Sequence, residues 1–177
     1  MEALSREKVP YPDPPLSDGV VRLRIWQPSD LECVKEASCD PVIPGGTSVP
    51  VPFTEEEGLG FIERCRAHQT NGTGLALAIT EAASDRAVGQ LVLLLRRPPA
   101  GRHVAGIGYW VVGSARRRGF ASRAVPLSSY RPRWPEAAGP VHAEHGRQHG
   151  LCDEGGDPGG CRSIFRRVPS LPDWGRT

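Results

Sequence analysis

Gly108-Tyr109-Trp110-Val111-Val112 leads through Gly113-Ser114-Ala115 into Arg116-Arg117-Arg118-Gly119-Phe120-Ala121. The apolar and aromatic stretch predicts a strand over Val104 to Val112, the Gly/Arg run a loop, and Phe120 to Val125 the start of a helix. Pro126 should break or kink that helix after barely two turns. The strand–loop–helix order has a chemical consequence. Backbone N–H groups at a helix N-terminus bind phosphate oxygens, and glycine lets a phosphate approach closely. Three arginines add charge and donors. An arginine-rich loop taken alone also reads as a solvated charge run; the strand before it and the strands before that favour an anion site. No Gly-Lys-Ser/Thr follows, so this is no Walker loop, and the antiparallel pattern upstream argues against a dinucleotide-binding fingerprint.

Working back toward the N-terminus, Val88 to Leu95 predicts a strand whose unbroken apolar run from Leu91 implies burial on both faces. Leu75, Leu77 and Ile79 alternate with Ala76 and Ala78, a second strand joined to it by a turn at Ala83-Ser84-Asp85-Arg86. Pro98 to Gly101 is a further turn. Before these, Thr54-Glu55-Glu56-Glu57 fits a capping box, Thr54 capping and Glu57 reaching back, for a helix carrying Leu59, Phe61, Ile62 and Cys65 and ending near Asn71-Gly72. The three glutamates read as favourable charge at a helix N-terminus rather than as a site. Val21, Leu23 and Ile25 alternate with Arg22 and Arg24, a strand with one wet face, and Pro28-Ser29-Asp30 opens a helix with Leu31, Val34 and Ala37 on one side. The predicted order is β-α-α-β-β-β-α, without internal repeats.

With these pieces in place, the sequence resembles the GNAT N-acetyltransferases, in particular the branch containing the ribosomal-protein alanine acetyltransferases. The family's pyrophosphate loop is Arg/Gln-x-x-Gly-x-Gly/Ala, and here it stands as Arg116-Arg117-Arg118-Gly119-Phe120-Ala121. Gly108-Tyr109-Trp110-Val111-Val112 is similar to that branch's fourth strand, Leu16 to Asp30 to its first strand and helix opening, and Pro52-Phe53-Thr54 with the acidic helix to a further segment. The resemblance spans about residues 14 to 125. It implies an α/β (α+β) fold with a mixed, mostly antiparallel sheet flanked by helices. It implies acetyl-CoA as co-substrate, with pantetheine along Trp110, Val111 and Val112 and pyrophosphate on the amides of Arg117 to Ser122, so that Trp110, Val111, Val112, Arg116, Arg117, Arg118, Gly119, Phe120, Ala121 and Ser122 form the cofactor site. A strand amide would polarise the thioester carbonyl. A primary amine, from a protein N-terminus or a small molecule, would attack directly, and the loop Pro41 to Phe53 would help select it. Cysteine nucleophiles are not needed; Cys33, Cys39 and Cys65 read as small hydrophobes.

The pattern also departs from the family. Many relatives carry a glutamate two residues before the Gly-Tyr as general base; here that position is Gly106, and no catalytic side chain is assigned. Tyr109 and Trp110 read as core or cleft wall. Beyond Val125 the family continues its helix and adds a fifth strand, which residues 126–177 do not show. Gly and Pro are 24 of residues 1–125 but 15 of residues 126–177, about 19% and 29%, while Ile, Leu, Val and Phe fall from 32 to 7. So little apolar surface offsets ordering entropy poorly. The expected organisation is an extension over 1–15, an acetyl-CoA-binding core over 16–125 and an aberrant, irregular tail over 126–177. A shift of reading frame is one explanation of that tail: one coding of residues 144–157, read one base later, yields Asn-Thr-Ala-Ser followed by Ala-Met-Lys-Val-Ala, close to the family's segment after its fifth strand. Two other readings stay open, a catalytically inactive acyl-CoA-binding remnant or interaction protein, and a zinc-binding tail built on His142, His145, His149, Cys152 and Cys161. No metal site is assigned.

Composition excludes several other classes. With 177 residues the chain suits one domain. Twenty-two basic residues against 20 acidic ones leave a net charge of +2, too little for a bulk nucleic-acid binder, and no apolar run is long enough for a bilayer. Nucleic acid and membrane are therefore not expected partners, and oligomeric state is left open. Five cysteines without framework spacing, and no apolar leader, point to reduced thiols in the cytoplasm.

Overall fold

The computed structural model describes residues 10–96 and 104–129. Short strand β1 (Leu16–Ser17) is followed by β2 (Val21–Ile25), α1 (Leu31–Ser38), α2 (Glu55–Thr70), β3 (Gly74–Glu81), β4 (Ala87–Arg96), β5 (Val104–Val111) and α3 (Phe120–Ser129). Short 3-10 turns occupy Pro28–Asp30, Pro44–Gly46 and Gly113–Ala115. Every pairing is antiparallel and the strands lie in chain order, β1-β2-β3-β4-β5. The strand expected fourth is therefore β5, because the two-residue β1, too short to show a period, precedes the rest. Pro98 to Gly101, the tail beyond Ser129 and its histidine–cysteine set lie outside the described residues.

Register explains the two-layer build. Arg24, Ala78, Gln90 and Trp110 stand side by side across the sheet, as do Ile25, Leu77, Leu91 and Tyr109, and because side chains alternate, the two rows face opposite ways. On the first face Trp26 meets Phe61 of α2 edge-on with centroids 5.6 Å apart and lies 6.1 Å from Trp110. Trp110 Nε1 donates to Gln90 Oε1 and Gln90 Nε2 to Cys65 Sγ, each at 3.0 Å, which ties β5, β4 and α2 together. The second face receives α3, whose Phe120 and Ala124 are buried. Leu91 and Leu93 are buried while Val92 and Leu94 are half-buried, so β4 is covered on both sides, as its apolar run requires.

Three local expectations change. Thr54 caps α2 by accepting the Glu57 N–H at 3.1 Å, but Glu57 is exposed and sends no bond back. The helix α3 continues through Pro126 to Ser129. The polar face of β2 is not wet at Arg24, which is 8% exposed. Its guanidinium grips Asp30 through two bonds of 2.8 and 2.9 Å and Asp85 through its Nε. Burying a guanidinium is tolerable only when its donors are satisfied in this way.

The backbone of β5 lies close over Gly89 of β4: a Cβ there would collide with the Trp110 carbonyl oxygen, whereas one at Gly45 would meet nothing within 4 Å. Gly89→Ala should cost on the order of 1–3 kcal/mol by forcing the strands apart, while Gly45→Ala should stay within about 0.5 kcal/mol. Urea unfolding of the two variants checks this; equal stabilities would contradict the packing.

Candidate active site

The β5-to-α3 connection is built from side chains of α1 and its C-terminal end. Glu36 accepts the Ser114 N–H at 2.8 Å and the Ser114 hydroxyl at 2.9 Å. Arg116 Nη2 reaches Asp40 Oδ2 at 2.6 Å, and its Nε donates to the Val111 carbonyl at 3.0 Å. Arg118 pairs with Glu81 at 2.6 Å and lies over the Phe120 ring. Two of the three arginines that the sequence offers as ligand donors thus hold the loop in place. Arg117 differs: it is exposed and has no hydrogen-bond or ion-pair partner among the described residues.

Between these anchors the backbone is unusual. Arg117 and Gly119 take positive φ, 63° and 79°, a conformation that glycine adopts freely and arginine does not. The Arg116 N–H is used by Gly113 O and the Arg123 N–H by Gly119 O, but the N–H groups of Arg117, Arg118, Gly119, Phe120, Ala121 and Ser122 find no backbone acceptor among the described residues. The last three open α3, where orphan donors are inherent. Successive N–H groups around such residues form a concave anion site.

The strand edge beside it is equally directional. Val112 N–H donates to Val88 O at 2.9 Å. Antiparallel alternation then turns the N–H of Trp110 toward β4 too, and points the N–H and C=O of Val111 and Tyr109 away from it. The Arg116 bond to Val111 O agrees. Of Trp110, Val111 and Val112, only Val111 presents its amide on the outer edge; the Trp110 side chain is 3% exposed and belongs to the core.

The thiols are quiet. Burial pushes the Cys65 thiol up to about 12, against the lowering effect of the Gln90 bond, and burial raises Cys33 further. Thiolates are the nucleophilic form, so both are inert near neutrality. Cys39 is exposed, contrary to its reading as a hydrophobe. A cleft of about 560 Å³ lies between α1 and the β3–β4 turn, but its carboxylates already bind protein groups: Asp30 and Asp85 hold Arg24, Glu36 holds Ser114, and Glu32 lies 3.9 Å from Lys35. No helix among the described residues is long and apolar enough to cross a membrane.

Residues 21–128 match the family model described as an acetyltransferase (GNAT) domain, and the chain belongs to that family. The match, like α3, runs a few residues past Val125. Among solved structures, the fold is similar to one assigned as a ribosomal-protein-serine acetyltransferase from Vibrio cholerae, with 18% identity over 67% of this chain and 66% of that one and a TM-score of 0.55. It is also similar to RimJ of Mycobacterium smegmatis in complex with CoA-disulfide, with 26% identity over 63% and 55% of the two chains and a TM-score of 0.50. The microcin C7 self-immunity acetyltransferase MccE, in complex with acetyl-CoA and AMP, aligns with 17% identity over 65% and 64% and a TM-score of 0.50. This chain therefore spans about two thirds or less of each of the three. Among curated proteins none matches.

The sequence signals did not single out Glu36 and Asp40, whose link to the loop is long-range. Burial alone would raise the Asp40 carboxyl, but the N–H groups of Val42 and Ile43 and the Arg116 guanidinium outweigh it and hold it below the ordinary range. Asp85 is held down likewise, burial being overcome by Arg24 and Arg22. An unfolded aspartate titrates near 3.9, so the unfolded chain binds protons first as pH falls. The stability these groups add is present above about pH 4 and is lost as pH drops through their folded values. Urea unfolding between pH 5 and 2.5 should show that decline, with a shallower slope for Asp40→Asn; an unchanged slope would contradict the assignment.

Proposed function

We propose that the chain binds acetyl-CoA and transfers its acetyl group to a primary amine, of a protein N-terminus or a small molecule, by direct attack. The observation that carries this is the run of six N–H groups from Arg117 to Ser122 without backbone acceptors among the described residues, beside β5, the last strand of the described sheet. The pyrophosphate suits that run, with Arg117 adding a charge-assisted donor. Within the expected stretch Trp110 to Val112, the outward N–H of Val111 suits the pantetheine amides. Arg116 and Arg118 shape the cradle rather than reach into it, while Gly119, Phe120, Ala121 and Ser122 supply backbone donors. Trp110 and Val112 hold the strand to β4.

The amine nitrogen forms its bond to the acetyl carbon, the carbon–sulfur bond breaks, and the thiol of CoA leaves with the proton the amine gives up. An outward strand amide would stabilise the oxyanion during attack. The raised thiols of Cys33 and Cys65 fit a reaction without an acyl-cysteine. Free Cys33, Cys39 and Cys65 fit a cytoplasmic setting. The loop between α1 and α2, residues 41–53, would face the acceptor.

Acetyl-CoA at 100 times its Kd should stabilise the chain by about 2.7 kcal/mol, and added amines should release free CoA thiol. Gly119→Val, forced into a φ that a branched residue resists, should abolish both effects. Arg117→Ala should weaken binding about tenfold, the loss of one charge-assisted bond. Stabilisation without thiol release would favour an inactive acyl-CoA-binding remnant. The absence of both effects would contradict the reading.

A further inference from the structure

Asp40 stands at the C-terminal end of α1, its side chain only 7% exposed, and its two oxygens serve two different loops. Oδ1 accepts the N–H groups of Val42 and Ile43 at 2.9 and 3.1 Å, fixing the first turn of the 41–53 loop. Oδ2 accepts from Arg116, whose Nε holds the carbonyl of Val111. That turn is firmly seated: Ile43 is fully buried, and its carbonyl accepts the Thr47 hydroxyl at 2.7 Å. One carboxylate therefore joins the loop before α2 to the loop before α3, across 76 residues of sequence.

We propose that Asp40 is a positioning residue that couples acetyl-CoA binding on the cradle to the conformation of the 41–53 loop. The inference rests on the cradle being the acetyl-CoA site. A ligand on the amides of Arg117 to Ser122 narrows the orientations of the loop that carries Arg116, which strengthens the Arg116–Asp40 bond and with it the turn at Val42 and Ile43. Coupling of this kind is reciprocal, so an acceptor that orders the 41–53 loop tightens acetyl-CoA binding by the same factor.

The Asp40→Asn substitution separates the two halves of the link. The asparagine oxygen can still accept from Val42 and Ile43, but its amide donates and cannot hold a guanidinium. Amide hydrogen exchange of the full chain, with and without acetyl-CoA, reads the result directly. In the parent protein, acetyl-CoA should slow exchange at residues 117–122 and, by about fivefold or more, at Val42 and Ile43. Asp40→Asn should lose the second effect and keep a measurable part of the first, because Glu36 and Glu81 still hold the loop. Protection at 117–122 without a response at Val42 and Ile43 in the parent protein would overturn the coupling alone, as would a normal response at Val42 and Ile43 in Asp40→Asn. No protection at 117–122 in the parent protein would overturn the acetyl-CoA reading, and the coupling with it.

Discussion

Six consecutive backbone N–H groups, Arg117 to Ser122, find no backbone acceptor among the described residues. An N–H left without a partner is costly where water is excluded, roughly 1–3 kcal/mol each, so such a run persists only at a surface and only if the chain is held open around it. Here the holding groups come from far away in sequence. Glu36 and Asp40 reach in from α1, and Glu81 from the end of β3. Their carboxylates take the loop's side chains and the Ser114 amide, and leave the amides of Arg117 to Ser122 without a backbone acceptor among the described residues. The negative charges lie behind the loop, while Arg117 is exposed.

The sheet gives this loop its address. Because the strands lie in chain order, β5 is the last strand among the described residues, and antiparallel alternation decides which of its amides face outward. The Val112–Val88 bond fixes that phase, and a one-residue slip would turn Val111 inward and Trp110 out. The Trp110–Gln90–Cys65 chain and the close approach at Gly89 oppose such a slip. Packing beneath β5 thus sets the polarity of the edge beside the loop.

Much of this was legible in the sequence. Period-two alternation located β2 and β3, Thr54 marked the start of α2, and Arg116 to Ala121 marked the loop, because each signal is local. What failed to show was long-range. Nothing near Arg24 says that Asp85, 61 residues away, will help to bury it, and nothing near Arg116 says that Asp40, 76 residues away, will take its charge. The arginines therefore read as ligand donors with no sign that two of them also pair with carboxylates of the chain. Pro126 read as a break or a kink, yet α3 runs on to Ser129 with Pro126 exposed and Phe120 and Ala124 buried; tertiary packing outweighed a local penalty.

The most direct test of the cradle is an amide-resolved NMR titration with coenzyme A. The account predicts that the largest shifts fall on Arg117 to Ser122 and on Val111, with the Trp110 and Val112 amides, bonded toward β4, moving less. Shifts gathered instead on the cleft between α1 and the β3–β4 turn, at Lys35, Cys39 and Arg86, would contradict it.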